Sequence, residues 1–255
     1  MMPEENKFLY ELEERHWWFQ GMRKILAALL DRHGTAAPVR ILDAGCGTGY
    51  MLSWLRQRSS ATQVHGMDFS ADALSYCRAR GEPLLLRASV ADIPFRSNGF
   101  DLITTLDVLD SFTPQEAARP FAELARVLKE GGMILVRVPA FQFLYSQHDR
   151  AVSTAHRYTA RELGSCLAGE GLVLERVTYA NFLLFPLAAL WRILRRSLSG
   201  EPRSDVKPLP RGLRWLNPLL TALLGIEAWW LKYLPWGLPA GLSVIALARK
   251  PSEPR

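Results

Sequence analysis

The run Ile41-Leu42-Asp43-Ala44-Gly45-Cys46-Gly47-Thr48-Gly49-Tyr50 constrains this chain more than any other stretch. Three glycines at alternate positions separate an apolar run, Val39–Asp43, from a helical pattern, Tyr50–Arg58. Glycines between a strand and a helix let the backbone turn tightly and approach a ligand, with the helix N-terminal N–H groups facing it. Such a turn is common to many nucleotide-binding sheets. The spacing here is G-x-G-x-G with Asp43 two residues ahead, rather than the G-x-G-x-x-G of dinucleotide sites.

Further short apolar runs alternate with helical patterns along the 255 residues. Val64–Asp68 is a second strand, and Ser70 caps the helix after it. Leu84–Arg87 is a third strand and Asp101–Leu106 a fourth. Thr113-Pro114-Gln115-Glu116 reads as a capping box opening a helix that Gly131-Gly132 stops near Glu130. Met133–Val138 is a fifth strand. A second capping box, Thr159–Glu162, opens a helix ending near Gly171, and Leu172–Tyr179 and Leu242–Ala248 complete seven strands. Near-continuous apolar strands alternating with helices predict an α/β fold, a mostly parallel sheet covered on both faces.

Two acids then fall where such sheets bind ligands, at consecutive strand ends. Asp68 can accept both hydroxyls of a ribose. In Ala91-Asp92-Ile93-Pro94-Phe95, Asp92 can accept from an adenine amino group while Ile93 covers the ring. Together they describe a nucleoside pocket without a second nucleotide. Helix caps and solvated loops remain the alternative for each acid singly.

With these pieces in order, LDAGCGTGY, MDFS, ADIPF, DLITTLDVLD and LKEGGMILVRVPA, the sequence resembles the class I S-adenosylmethionine-dependent methyltransferases. The resemblance implies a Rossmann-like seven-stranded sheet whose last strand runs antiparallel beside the sixth, and S-adenosylmethionine as cofactor. It implies that Asp43, Ala44, Gly45, Gly47 and Gly49 border the methionine portion, and that Asp68 and Phe69 meet the ribose. Asp92 and Ile93 meet the adenine, and Leu106 and Asp107 close the pocket near the sulfonium. Glu14-Arg15-His16-Trp17-Trp18-Phe19, and His148-Asp149 with His156-Arg157-Tyr158-Thr159, resemble a bacterial subgroup of that family. Asp110-Ser111 departs from a common family form, in which Glu-His follows Asp-x-Leu, so no histidine role carries over there.

Methyl transfer from a sulfonium needs no metal, and the expected chemistry is transfer to an oxygen of a small acceptor. His148 and His156 are the candidate bases, with Asp107 beside them, because histidine is half-protonated near neutral pH. Hydrogen bonding to loop backbone is the alternative for both. Arg157 and Tyr158 either bind an acceptor or pin the loop. Trp17, Trp18 and Phe19 either anchor an N-terminal helix or lid the cofactor, in which case Arg23 reaches the methionine carboxylate. A nicotinamide-dependent oxidoreductase and a silent cofactor-binding adaptor are the rival readings of the whole.

Charge divides the chain. Residues 1–180 hold 20 Lys and Arg against 21 Asp and Glu, whereas residues 181–255 hold 11 against 4 and five of the eight tryptophans. The expected organisation is a methyltransferase domain, 1–180 and 239–250, and a helical, apolar and basic insertion, 181–238. The insertion contains Phe182–Trp191 and Leu213–Leu234, separated by a Pro-rich linker, Glu201–Pro210. Both apolar stretches are too short or too interrupted by Arg214, Asn217, Glu227 and Lys232 to span a bilayer. An interfacial helix with tryptophan at headgroup level and Arg192, Arg195, Arg196, Arg203, Lys207, Arg211 and Arg214 facing anionic lipid fits them. Residues 182–236 are thus expected to meet an anionic membrane surface and to present a lipophilic or lipid-linked acceptor. A helical cap on the chain's own domain or in a dimer is the alternative, and nucleic acid is not expected. Cys46, Cys77 and Cys166 show no paired spacing and the N-terminus lacks a secretory pattern, so a reduced cytoplasmic location is expected, at most peripheral to the membrane.

Overall fold

A computed structural model describes residues 3–34, 40–58, 63–195 and 209–252. Val39, residues 201–208 of the Pro-rich linker and Arg196 lie outside the described residues. Seven strands form one sheet: β1 (Arg40–Ala44), β2 (Gln63–Asp68), β3 (Leu85–Arg87), β4 (Phe100–Leu106), β5 (Leu128–Pro139), β6 (Val173–Ala180) and β7 (Ser243–Arg249). Their order is β3-β2-β1-β4-β5-β7-β6. β7 is antiparallel to both β5 and β6, and the remaining pairs are parallel. The helices are α1 (Pro3–Leu12), α2 (Trp17–His33), α3 (Tyr50–Arg58), α4 (Ala71–Ala79), α5 (Ala118–Val127), α6 (Gln147–Ala151), α7 (Ala160–Gly169), α8 (Phe185–Arg195) and α9 (Leu216–Tyr233).

Alternation along each strand sorts side chains between two cores. Leu42, Ile103, Ile134, Val136, Val244 and Ala246 pack with Phe121 and Leu124 of α5 and Leu163 and Leu167 of α7. Ile41, Leu102, Met133, Leu135, Ile245 and Leu247 pack with α2, α3, α4 and α9. Burial on both faces explains why the central strands read as continuous apolar runs.

The helix expected over Thr113–Glu130 is shorter at both ends. Thr113 and Glu116 do bond, with the Thr113 hydroxyl and N–H donating to Glu116 Oε2 at 2.7 and 3.0 Å. They close a turn, and α5 starts only at Ala118. It ends at Val127 because Leu128 is drawn fully into the core beside Phe100 and Lys129 reaches Asp101 Oδ1 at 2.6 Å. Gly131 and Gly132 therefore lie inside β5. There the ladder shifts register, Gly131 takes φ +73°, and both glycines exchange backbone bonds with Lys250.

The apolar stretch after β6 is not peripheral along its whole girth. Leu224, Ala228 and Leu231 of α9 are buried in the second core with Ile25, Ala28 and Leu29 of α2. The two helices run the same way: a Cβ on Gly21 would meet Leu224 Cδ1 at 2.2 Å, and the Arg32 guanidinium donates to the Lys232 and Leu234 carbonyls at 3.0 and 2.6 Å. Arg32 thereby satisfies carbonyls left over at the α9 C-terminus. The chain then returns beside the outer side of β6, where Leu238 N–H donates to Thr178 Oγ1 at 2.9 Å and its carbonyl accepts from Tyr179 N–H at 3.4 Å. This covers the sheet edge that would otherwise offer unpaired backbone groups.

Gly21→Ala is expected to lower stability by up to about 2 kcal/mol, because overpacking outweighs the gain in helix propensity. Urea midpoints check this: combined with Leu224→Ala, which removes the obstructing side chain, the double variant should be more stable than the sum of the single changes.

Candidate cofactor and acceptor site

The glycine turn is docked on the end of β2. The N–H groups of Gly45 and Cys46 donate to the Met67 carbonyl at 2.7 and 3.0 Å. Asp68 then joins the turn to the next helix: Oδ2 accepts from Gly47 N–H at 2.9 Å and Oδ1 from Ser70 N–H at 2.8 Å. Ser70 in turn caps α4 through Ala73 N–H. Gly45 and Gly49 have φ near +90°, and a Cβ on them would press on Val108 and Cys77. Gly47, at φ +53°, faces nothing within 4 Å. Two of the glycines are needed for packing, and the third leaves backbone open to a ligand.

The neighbours of that opening differ in exposure. Asp43 is buried, accepts from Thr104 Oγ1 at 2.6 Å, and is pushed up to about 7 by burial. The Ala44 side chain belongs to the first core, so only its backbone can border a ligand. Phe69 stands 72% exposed beside Asp68. Leu106 is half-buried against the second core. At the third strand, Ala88 N–H donates to the Asp68 carbonyl, so Ser89 is the first polar side chain past β3. Asp92 lies three residues further round a turn; its carboxylate is 83% exposed and 3.7 Å from Arg119. Ile93 is buried, and its N–H donates to Glu123 Oε2 at 2.7 Å.

At the end of β4 the backbone turns sharply, with Asp107 at φ +55°. Its N–H donates to the Arg137 carbonyl, and its carboxylate pairs with the Arg137 guanidinium, which lies 4.9 Å from the Trp18 ring. The aromatic run before β1 is thus packed against the strand ends. Asp110 is also buried, with Oδ2 accepting from Thr154 Oγ1 at 2.8 Å and Oδ1 unpartnered. Its carbonyl accepts from the N–H groups of Ala155 and His156, fastening the loop after β5 to the turn that carries Asp107. The His156 ring stands edge-on to Tyr158 at 4.7 Å, and His148 is half-buried on α6.

Arg157 and Tyr158 pin this loop. Arg157 is 2% exposed, and its Nε donates to the buried Asp149 carboxylate at 2.7 Å and its Nη1 to the Ala140 carbonyl at 2.9 Å. Tyr158 is equally buried. Neither offers an acceptor-binding surface.

Several residues at the turn carry no sequence signal. Thr48 Oγ1 donates to Glu13 Oε1, and Arg80 reaches Glu13, Glu14 and the carbonyls of Thr48 and Tyr10. Arg23, which would reach the methionine carboxylate only with the aromatic run as a lid, donates to the Glu13 carbonyl at 2.7 Å and stacks on Tyr50. The start of the chain is thereby tied to the glycine turn by partners 35 to 70 residues apart. Cys46 and Cys77, unrelated in spacing, are free thiols with Sγ atoms 3.9 Å apart. Their mutual hydrogen bond and burial push the Cys46 thiol well up.

Residues 42–136, which hold the glycine turn, Asp68, Asp92 and Asp107, match the family model of a methyltransferase domain. This chain carries a class I S-adenosylmethionine-dependent methyltransferase domain. Over 166 residues it is 28% identical to a probable S-adenosylmethionine-dependent methyltransferase of Mycobacterium tuberculosis, covering 64% of this chain and 58% of that protein. A demethylmenaquinone methyltransferase of Thermus thermophilus is 37% identical over 105 residues, 39% of this chain and 47% of the relative. A Drosophila melanogaster tRNA N(3)-methylcytidine methyltransferase is 32% identical over 144 residues, 52% and 43% of the two chains. The chain thus spans from about a fifth to three fifths of the length of the curated relatives it matches. Among solved structures, a chain of the complex between the Haloferax volcanii Trm112 activator and a putative methyltransferase shares the fold, with TM-score 0.61, 18% identity and coverage of 99% and 96%.

The methyltransferase site fits that cofactor. Gly47 leaves unobstructed backbone, Phe69 offers an exposed ring, and the Asp68 oxygens, each accepting one N–H, retain lone pairs for hydroxyl donors. Among the described residues no group of three or more His, Cys, Asp and Glu could hold a metal ion.

Burial, then the charge of Asp107, pushes the Asp110 carboxyl from 3.8 up to about 7. The folded chain therefore keeps a proton that the unfolded chain releases across this window, and stability falls as pH rises from about 4 to 7. Asp110→Asn keeps an acceptor for Thr154 and removes the titration. Its urea midpoint should gain on the parent as pH rises, by roughly 1–3 kcal/mol at pH 7, with little difference at pH 4.

Proposed function

We propose that this chain transfers the methyl group of S-adenosylmethionine to an oxygen of a small, lipophilic or lipid-linked acceptor. The observation that carries the reading is Asp68, held by Gly47 and Ser70 at the mouth of the glycine turn inside the matched methyltransferase domain. Bound there, the cofactor supplies an already activated methyl group. The chain's own task is positioning, water exclusion and removal of one proton. Asp43 and the backbone of Ala44 and Gly45 border the methionine end, Asp68 and Phe69 the ribose, and the segment from Ser89 through Asp92 and Ile93 the adenine. Leu106 and Asp107 close the pocket, with Arg137 fixing the Asp107 carboxylate.

His156 and His148 supply the proton acceptor. They lie on the loop that follows β5, and the Asp110 carbonyl holds His156 to the turn bearing Asp107. His156→Ala should lower kcat by about 10²-fold while leaving S-adenosylhomocysteine affinity unchanged. Equal loss in the affinity would place His156 in cofactor binding instead.

Support for a lipophilic acceptor comes from the exposed leucines and tryptophans of residues 182–236. The relatives' names include demethylmenaquinone and tRNA, so they do not choose between acceptor classes. The charge distribution opposes nucleic acid, because residues 1–180, which carry the site, hold slightly more acids than bases. Mass spectrometry of lipid and small-molecule extracts incubated with the chain and isotopically labelled donor tests the reading. Label should enter an organic-extractable compound; label entering only RNA would contradict it.

A further inference from the structure

Helix α9 is apolar on both sides, and only one of them is covered. Thr221, Leu224, Ala228 and Leu231 face α2 and are buried. The opposite stripe, Trp215, Leu219, Ala222, Ile226, Trp229 and Tyr233, recurs at spacings of three and four residues and is exposed throughout. Trp215, Ile226, Trp229 and Tyr233 are each more than half exposed, and the stripe contains no charged residue. It runs the length of an 18-residue helix, about 27 Å at 1.5 Å per residue. Leu187, Leu190, Ile193 and Leu194 add exposed apolar side chains on α8. A helix hydrophobic all round is normally buried all round.

Charge identifies what covers it. Among the described side chains of 182–236, Arg192, Arg211, Arg214 and Lys232 are cationic, Lys232 pairing with Asp31 of α2, and Glu227 is the sole acid. Glu227 is 2% exposed and turned inward, accepting the Leu183 N–H at 3.0 Å. Over its full length the region holds eight Lys and Arg against three acids, Glu201, Asp205 and Glu227, so it is cationic. A second copy of this chain would set two net-cationic faces against each other, whereas an anionic bilayer complements both the charge and the apolar stripe. Tryptophan and tyrosine are also the side chains that settle at the membrane–water boundary. No helix among the described residues is long and apolar enough to cross a membrane, and α9 has already committed one side to α2. We infer that α9 lies flat on an anionic lipid surface, outer stripe down, with α8 extending the contact and the flanking arginines at the headgroups.

The proposal is read by binding alone, so it stands or fails independently of the acceptor. Sedimentation of the full chain with extruded vesicles tests it, comparing phosphatidylcholine alone with vesicles containing about one-third phosphatidylglycerol. The chain should pellet with the anionic vesicles, much less with the neutral ones, and be released by high salt. Ile226→Glu with Trp229→Glu should weaken partitioning more than about tenfold, with S-adenosylhomocysteine affinity and the thermal midpoint retained. Ala222→Glu, a smaller change on the same stripe, should do likewise should the double variant not fold. Failure of the parent chain to pellet, or equal pelleting of the folded variants, would overturn the proposal. A parent dimer in light scattering that these variants convert to monomer, without vesicle binding, would assign the stripe to a second copy.

Discussion

The Asp68 carboxylate is the junction on which the rest of this site depends. One oxygen holds the N–H of Gly47 and the other that of Ser70, so the first glycine turn and the start of α4 share a single anchor at the end of β2. Each bond to an ionised carboxylate is stronger than a neutral one. The carboxylate can nevertheless accept more donors, so the group that shapes the turn is the group that can receive ribose hydroxyls. Beside it the backbone at Gly47 stands open, with nothing within 4 Å of where a Cβ would lie.

Around this anchor the chain closes the site from remote segments. The Glu13–Thr48–Arg80 contacts bring the N-terminal segment to the turn, Trp18 lies over Arg137, and Arg137 fixes Asp107. Behind them α2 and α9 pack closely because Gly21 has no side chain to hold Leu224 away. The segment after β6 thus completes a core with its inner stripe and leaves its outer stripe exposed.

What was legible in the sequence follows from locality. The glycine turn, the Ser70 cap and the Thr159–Glu162 capping box are local patterns, and the structure forms each of them. The seven strands are legible because buried parallel strands leave continuous apolar runs. Misreadings arose where a distant partner overrode a local signal. Gly131-Gly132 looks like a helix stop, yet pairing of Leu128 with Phe100 and of the glycines with Lys250 makes it part of β5. Cys46 meets Cys77, and Thr48 meets Glu13, only because folding brings three segments together.

The central claim, that Asp68 and the glycine turn form the nucleoside end of a methyl-donor pocket, is tested most directly by calorimetric titration of S-adenosylhomocysteine into the parent chain and Asp68→Ala. The account predicts saturable binding to the parent and its loss, by at least about 10²-fold, in a variant that remains folded. Unchanged affinity in the variant, or binding of NAD in preference to S-adenosylhomocysteine, would contradict it.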